Sequence, residues 1–315
     1  MQQILSAATV AAIGLSCKAY LHSGLCSISV RGLPHLLEAL NSPERQNGQG
    51  LVTVSNHLST LDDPLTWGIL PARMYLQSHM TRWTLGASDI MFTNPVFSAF
   101  FRKGQVLETF RGTGVYQPAI DTAIEKLRAG AWIHLFAEGK VCQPQTYATD
   151  PQTGLARLRR FKWGMCVSLL SPRLPRICHT LSDALHSPHV SGRIVMETPR
   201  PPTIIPMWIT GFDKLMPEGR HAPWKYLPRP GARLSVTFGA PVSPAAVHGA
   251  LGTTTRSDVV PGRAAEAQGA RRREVRIALT EVVQRAVEAL GRQVSGGLLT
   301  GSGPLPLPPP LQKRT

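Results

Sequence analysis

His57 and Asp62 stand five residues apart in Asn56-His57-Leu58-Ser59-Thr60-Leu61-Asp62-Asp63-Pro64, directly after the β-like run Leu51-Val52-Thr53-Val54-Ser55. A neutral imidazole takes a proton from a hydroxyl near neutral pH, and a carboxylate on its other ring nitrogen fixes the tautomer and stabilises the imidazolium. That pair is what makes a weak alcohol attack an ester or thioester. A plainer reading also fits, in which the histidine caps a turn and Asp62 or Asp63 opens the helix that Pro64 starts. A metal site fits less well, because no second histidine or cysteine pair stands nearby at ligand spacing. Neither a metal nor a cofactor is expected.

Three more blocks carry useful groups. The stretch from Gly104 to Tyr116 sets Arg111 and Gly112 in a glycine-rich turn just before a helix. Backbone amides and a guanidinium there would hold a phosphate; a solvent-facing arginine is the alternative. Phe136-Ala137-Glu138-Gly139-Lys140 puts a carboxylate and a cation on the turn after a buried strand. Gly139 lets a backbone or ligand approach closely. Ile204-Ile205-Pro206-Met207 is an apolar strand interrupted by proline, which predicts a sheet edge or the wall of a lipid cleft.

These blocks sit on alternating elements. Leu33, Leu36, Leu37 and Leu40 have helical spacing, the strand at 51–55 runs into the His-x4-Asp turn, and a short helix through Trp67-Gly68-Ile69-Leu70 stops at Pro71. A helix from Tyr116 to Leu127 precedes a buried strand, Ala131 to Phe136; further strands are predicted at Thr203–Ile209 and Leu234–Phe238. A loop covers 251–262 and a long helix runs from Ala264 to Arg292. The alternation predicts an α/β fold with a mainly parallel central sheet flanked by helices, an N-terminal interfacial apolar segment and a C-terminal helix. Functional groups at strand ends then meet at the carboxyl edge of that sheet.

Bulk composition narrows the partners. With 43% hydrophobic residues the chain can bury a substantial core, and its 34 Lys and Arg against 19 Asp and Glu give a formal charge of +15. Nucleic acid, an anionic membrane surface or a compartment of basic proteins would each accept such charge. The nucleic-acid reading lacks zinc-finger spacing, an RNP-like aromatic run and a basic region with heptads. Five cysteines (Cys17, Cys26, Cys142, Cys166, Cys178) without CxxC spacing argue for free, mostly buried thiols. No window reaches the roughly 20 apolar residues of a spanning helix. The nearest, the 13 residues Ile4 to Ser16, suits a helix lying in a bilayer face better than a signal peptide or a cleaved presequence. Ile90 to Phe101, with Phe92, Phe97, Phe100 and Phe101 and a border of Arg102-Lys103, suits either a membrane contact or a core helix broken at Pro95.

In order and spacing, the four blocks resemble the glycerolipid acyltransferase superfamily. Ser55-Asn56-His57 with Asp62-Asp63-Pro64 and Trp67-Gly68, Arg82-Trp83, Arg111-Gly112-Thr113-Gly114-Val115-Tyr116-Gln117, Glu138-Gly139-Lys140-Val141 and Arg160-Phe161-Lys162-Trp163-Gly164 resemble its tafazzin family more closely. The likeness covers roughly residues 45–165 and 192–245. It implies a mitochondrial transacylase that moves an acyl chain from a phospholipid to a lysophospholipid without CoA, remodelling cardiolipin, through an acyl-enzyme or a ternary complex. His57 would be the base and Asp62 its orienting partner, with Asn56, Asp63, Arg111, Gly112, Glu138, Gly139 and Lys140 binding substrate. The resemblance further implies a peripheral, monotopic enzyme on inner and outer membranes facing the intermembrane space; a homo-oligomer stays open. A CoA-dependent lysophospholipid acyltransferase and a non-catalytic lipid-binding protein are the alternatives. Ala137 departs from the family, which usually has proline there.

The expected division is 1–45 apolar leader and helix, 46–245 acyltransferase domain, 246–300 loop and C-terminal helix, and 301–315 disordered tail. The gap between Trp163-Gly164 and the Pro202 strand is long for the family. Its excess, about Val167 to Ser191, is rich in Pro, Ser and His, and its removal would join Trp163–Cys166 to Gly192–Glu197 as one helix. A retained intron is expected there, with a genuine surface loop as the alternative.

Overall fold

In the computed structural model, which describes residues 2–161, 193–195, 198, 200–252 and 264–299, nine strands are formed. They are β1 Cys26–Arg31, β2 Leu51–Ser55, β3 Trp83–Ala87, β4 Val106–Thr109, β5 Trp132–Phe136, β6 Ala148–Thr149, β7 Ala156–Arg157, β8 Thr203–Thr210 and β9 Ala232–Phe238. Seven make one sheet in the order β1-β9-β8-β2-β5-β3-β4, parallel at every pairing except β8 with β9. The mainly parallel sheet expected from the sequence is therefore present, and β6 and β7 pair separately as a short antiparallel ladder.

Helices flank the sheet: α1 Gln2–His22, α2 Leu33–Leu40, α3 Pro43–Gln46, α4 Asp62–Trp67, α5 Ser88–Met91, α6 Pro95–Lys103, α7 Pro118–Arg128, α8 Phe212–Leu215, α9 Pro244–Gly252 and α10 Ala264–Ser295. Strand alternation divides the core into two layers. Val52, Val54, Ile133, Leu135, Ile204 and Trp208 face α7 and α10, meeting Ile120, Leu127, Leu279 and Val283. Leu51, Trp132, Ile205, Met207 and Ile209 face the other way, against α2, α4 and α1, meeting Leu36, Leu40, Leu65 and Trp67. Every residue of β2 and β5 is buried, as expected for strands in the interior of a parallel sheet.

Several elements differ from the sequence reading. β8 lies inside the sheet rather than at an edge, between β9 and β2. Thr203 N donates to Gly50 O on the β2 side whereas Pro206 O accepts from Gly239 N at 2.8 Å, so the proline nitrogen faces the other side, at the end of the β8–β9 ladder beyond Met207–Phe238. On the β2 side the Asn56 side chain carries the pairing past the end of β2: Nδ2 donates to Ile209 O and Oδ1 accepts from Ile209 N, both at 2.9 Å. Residues 26–31, read as leader, form β1 on the edge of the sheet. α1 is 21 residues long, and Gln3–His22 is long and apolar enough to cross a membrane, by length and composition. Pro95 does not break a core helix; it starts α6, capped by Asn94 Oδ1 accepting from Phe97 N at 2.9 Å, and α5 and α6 bury none of their residues. The long C-terminal helix forms over Ala264–Ser295. The expected insert at 167–191, most of the 251–262 loop and the 301–315 tail fall outside the described residues.

Candidate active site

β2 and β5 are adjacent and parallel, so the chain leaving Ser55 and the chain leaving Phe136 emerge side by side at the carboxyl edge. The first delivers His57 and the second delivers Glu138. His57 Nδ1 lies 2.9 Å from Asp62 Oδ2. Asp62, at the start of α4, is wholly buried, and its carboxylate is filled by protein donors. Oδ2 also accepts from the amides of Leu58 and Ser59, and Oδ1 accepts from Ser59 Oγ at 2.8 Å. A carboxylate so held can only take a proton-bearing Nδ1, which leaves Nε2 as the imidazole's lone-pair nitrogen. The His57 side chain is 20% exposed, so the imidazole is not sealed inside the protein.

The segment after β5 clamps the histidine. Its amide donates to Glu138 Oε1 at 3.0 Å, its carbonyl accepts from Cys142 N at 2.7 Å, and its ring stacks on Phe136 at 4.3 Å between centroids. Glu138 is buried, and burial pushes its carboxyl up to about 8 against the His57 amide and Cys142 thiol that favour the charged form. Gly139 turns the chain at φ 72°, the left-handed region that costs glycine nothing. Lys140 beyond it is exposed.

Beneath the imidazole runs a polar chain inside otherwise apolar strands. Trp132 Nε1 donates to Thr53 Oγ1 at 2.9 Å, Thr53 Oγ1 lies 2.8 Å from His134 Nδ1, and Ser55 Oγ donates to Asn56 O. His134 is buried edge-on against Phe136 and Trp67. Burial drives its pKa down to about 3, so it is a neutral spacer and not a second base. Asp63 turns away from His57, toward Arg82, whose Nε and Nη2 both donate to it, and toward Trp67 Nε1 at 3.1 Å. Burial raises the Asp63 carboxyl, but the Arg82 charge and these hydrogen bonds outweigh it and hold it below the ordinary value.

The remaining expected residues lie on the rim. Arg111 follows β4 and donates through Nη1 to Asp89 Oδ2 at 2.9 Å, next to Gly112 at φ 83°. β4 stands three strands from β2, or about 14 Å at the usual strand spacing, on the same sheet edge. Asn56, Asp63 and Glu138 therefore have their side chains on partners inside the site, whereas Arg111, paired with exposed Asp89, borders solvent with Gly112, Gly139 and Lys140. The sequence reading missed Phe136 as the ring beneath His57, Cys142 as its backbone donor and Arg82 as the partner of Asp63. The visible signal was polar Thr53, Ser55 and His134 at alternate positions of two otherwise apolar strands.

Residues 35–210 match the sequence profile of the acyltransferase family. The taffazin of Dictyostelium discoideum is 31% identical over 237 residues, 75% of this chain and 69% of that protein. The chain belongs to the tafazzin family of acyltransferases. The chain is also similar to the Drosophila melanogaster tafazzin, 36% identical over 63% of this chain, and to the N-acylphosphatidylethanolamine synthase of Arabidopsis thaliana, 33% identical over 70% of it. The chain spans 65% of the Arabidopsis protein and 42% of the Drosophila tafazzin. The tafazzin resemblance of the sequence blocks thus agrees with similarity to tafazzins over 63–75% of the chain.

Proposed function

We propose that this chain is a transacylase, moving an acyl group from a phospholipid to the free hydroxyl of a lysophospholipid without CoA, with monolysocardiolipin as acceptor. The observation that carries the reading is the His57–Asp62 contact at 2.9 Å, with Nδ1 committed and Nε2 free to act. Nε2 takes the hydroxyl proton while the oxygen attacks the donor's ester carbonyl. The ester C–O bond breaks, and the departing glycerol oxygen takes the proton back from Nε2. Asp62 steadies the imidazolium between those steps. Arg111, Gly112, Gly139 and Lys140 hold the phosphates, while Asn56, Asp63 and Glu138 fix the frame around His57.

Membrane attachment is interfacial in this reading. α1 is docked along its length: Ser6 Oγ donates to Lys103 O, Gly14 packs on Tyr75, and Lys18 Nζ donates to Leu70 O. A helix so engaged lies beside the domain instead of standing away from it across a bilayer. In this reading its exposed Ile4, Leu5 and Leu15, and Val96, Phe97 and Phe100 of α6 with Phe92 and Phe101 packed together, are the apolar groups that enter the bilayer surface. The charge of +15 favours anionic lipid such as cardiolipin. Mitochondrial membranes facing the intermembrane space, as the family resemblance implies, are the proposed location.

The Arabidopsis relative favours a second reading, in which the acceptor is the amine of phosphatidylethanolamine. One assay separates the cases: labelled phosphatidylcholine in vesicles with monolysocardiolipin and phosphatidylethanolamine, with and without acyl-CoA. Label in cardiolipin without CoA supports the proposal. Label in an N-acylated lipid supports the second reading, and label appearing only from acyl-CoA refutes both in favour of a CoA-dependent enzyme.

A further inference from the structure

A second apolar surface lies at the same sheet edge as His57, just past the C-terminal end of α1. Trp224 is 64% exposed, Leu227 51% and Leu25 49%. Sheet geometry sets Leu25 beside the end of the loop that carries Trp224 and Leu227. β9 is antiparallel to β8, pairing Thr210 with Ser235, so the chain entering β9 at Ala232 starts beyond the carboxyl end of β8. β1 is parallel to β9 with Cys26 opposite Ala232, which sets Leu25 at the same edge. The two chains are tied there by Gly231 N donating to Leu25 O at 2.7 Å. Trp224 and Leu227 flank one short turn, and Arg220 Nη2 donates to Leu227 O at 2.7 Å to hold it.

The surroundings are basic. Lys225, Arg229 and Arg233 are exposed and Arg220 is half-buried, against a single exposed carboxylate, Glu218, in the same stretch. An exposed indole and leucine ringed by cations match the boundary of an anionic bilayer, where an amphipathic ring is half wet and basic side chains meet headgroups. A protein partner would take the apolar groups but does not call for the cationic rim.

The strand order fixes the geometry of the two surfaces. Ile90, 58% exposed, follows β3 at the carboxyl edge, and Leu25 precedes β1 at that edge. Five strand steps separate β1 from β3, about 24 Å at the usual spacing, with β2 and His57 between them. Resting on the interfacial enzyme proposed above, we infer that Leu25, Trp224 and Leu227 form a second contact with anionic membrane, so that the bilayer lies across the carboxyl edge of the sheet. Lipid then reaches His57 from the membrane surface without first entering water.

Trp224 is its own reporter. The full chain is mixed with vesicles of phosphatidylcholine and cardiolipin carrying brominated acyl chains, and quenching of indole emission is compared with W224F; sedimentation measures binding separately. The inference predicts that a substantial share of the quenching disappears in W224F, and that W224S/L227S weakens vesicle affinity about tenfold or more, with an unchanged thermal transition. Binding with equal quenching in both proteins overturns the second contact and leaves the transacylase reading standing. Absence of vesicle binding overturns both. Equal loss of affinity on neutral vesicles would overturn the assignment to an anionic surface.

Discussion

Replacing Glu138 by glutamine isolates one proton beside His57. The glutamine carbonyl can still accept the His57 amide, so the clamp survives and only the titration is lost. In the folded chain, burial first, with the Asp62 charge adding to it, raises the Glu138 carboxyl from 4.5 to about 8. The folded state therefore binds more protons than the unfolded state between those values, and wild-type stability falls as pH rises through that window. At 1.36 kcal/mol per pH unit, the ionisation penalty is about 1 kcal/mol at pH 5 and about 4.5 kcal/mol at pH 8.5. The variant carries no such penalty. Urea denaturation of both proteins from pH 5 to pH 9 should show the variant gaining about 3 to 4 kcal/mol on wild type across that range. Parallel stability curves would refute the buried, proton-bearing carboxyl. A gap that widens toward acid would reverse the sign of the argument.

Asp62→Asn presents an amide to His57 Nδ1 and to two backbone N–H groups that now donate to a carboxylate. Transfer should drop roughly 10³- to 10⁴-fold with vesicle binding unchanged, as measured by initial rates and sedimentation. Arg82→Ala removes both donors from Asp63 and leaves a mostly buried carboxylate beside Trp67. Its expected cost is about 3 kcal/mol in urea denaturation, and Arg82→Ala combined with Asp63→Asn should recover much of that loss.

Much of this architecture was legible in the chain. β2 and β5 are unbroken apolar runs ending in polar turns, and a parallel sheet buries such runs on both faces. α7 and α10 show their buried stripes at helical spacing. Elements that were not legible lack that contrast. β4 is Val106-Leu107-Glu108-Thr109, four residues inside a glycine-flanked stretch, and β1 hides after a long apolar helix. Pro206 misled for a physical reason. A proline in a strand normally signals an edge, but here its nitrogen faces the end of the β8–β9 ladder, beyond the last pair Met207–Phe238. In the site, His57 and Asp62 could be named from spacing, because a turn of five residues lets an imidazole reach back to a helix start. The orientation of Asn56, Asp63 and Glu138 could not, since each is decided by a partner distant in sequence: Ile209, Arg82 and the His57 amide.

The central claim is that His57 Nε2 moves the proton of an acyl transfer that needs no CoA. It is tested most directly by following acyl exchange from labelled phosphatidylcholine to monolysocardiolipin in CoA-free vesicles, with the full chain and with His57→Ala bound to equal extent. Steady transfer is expected from the first and none above background from the second. Equal transfer by both proteins would contradict it.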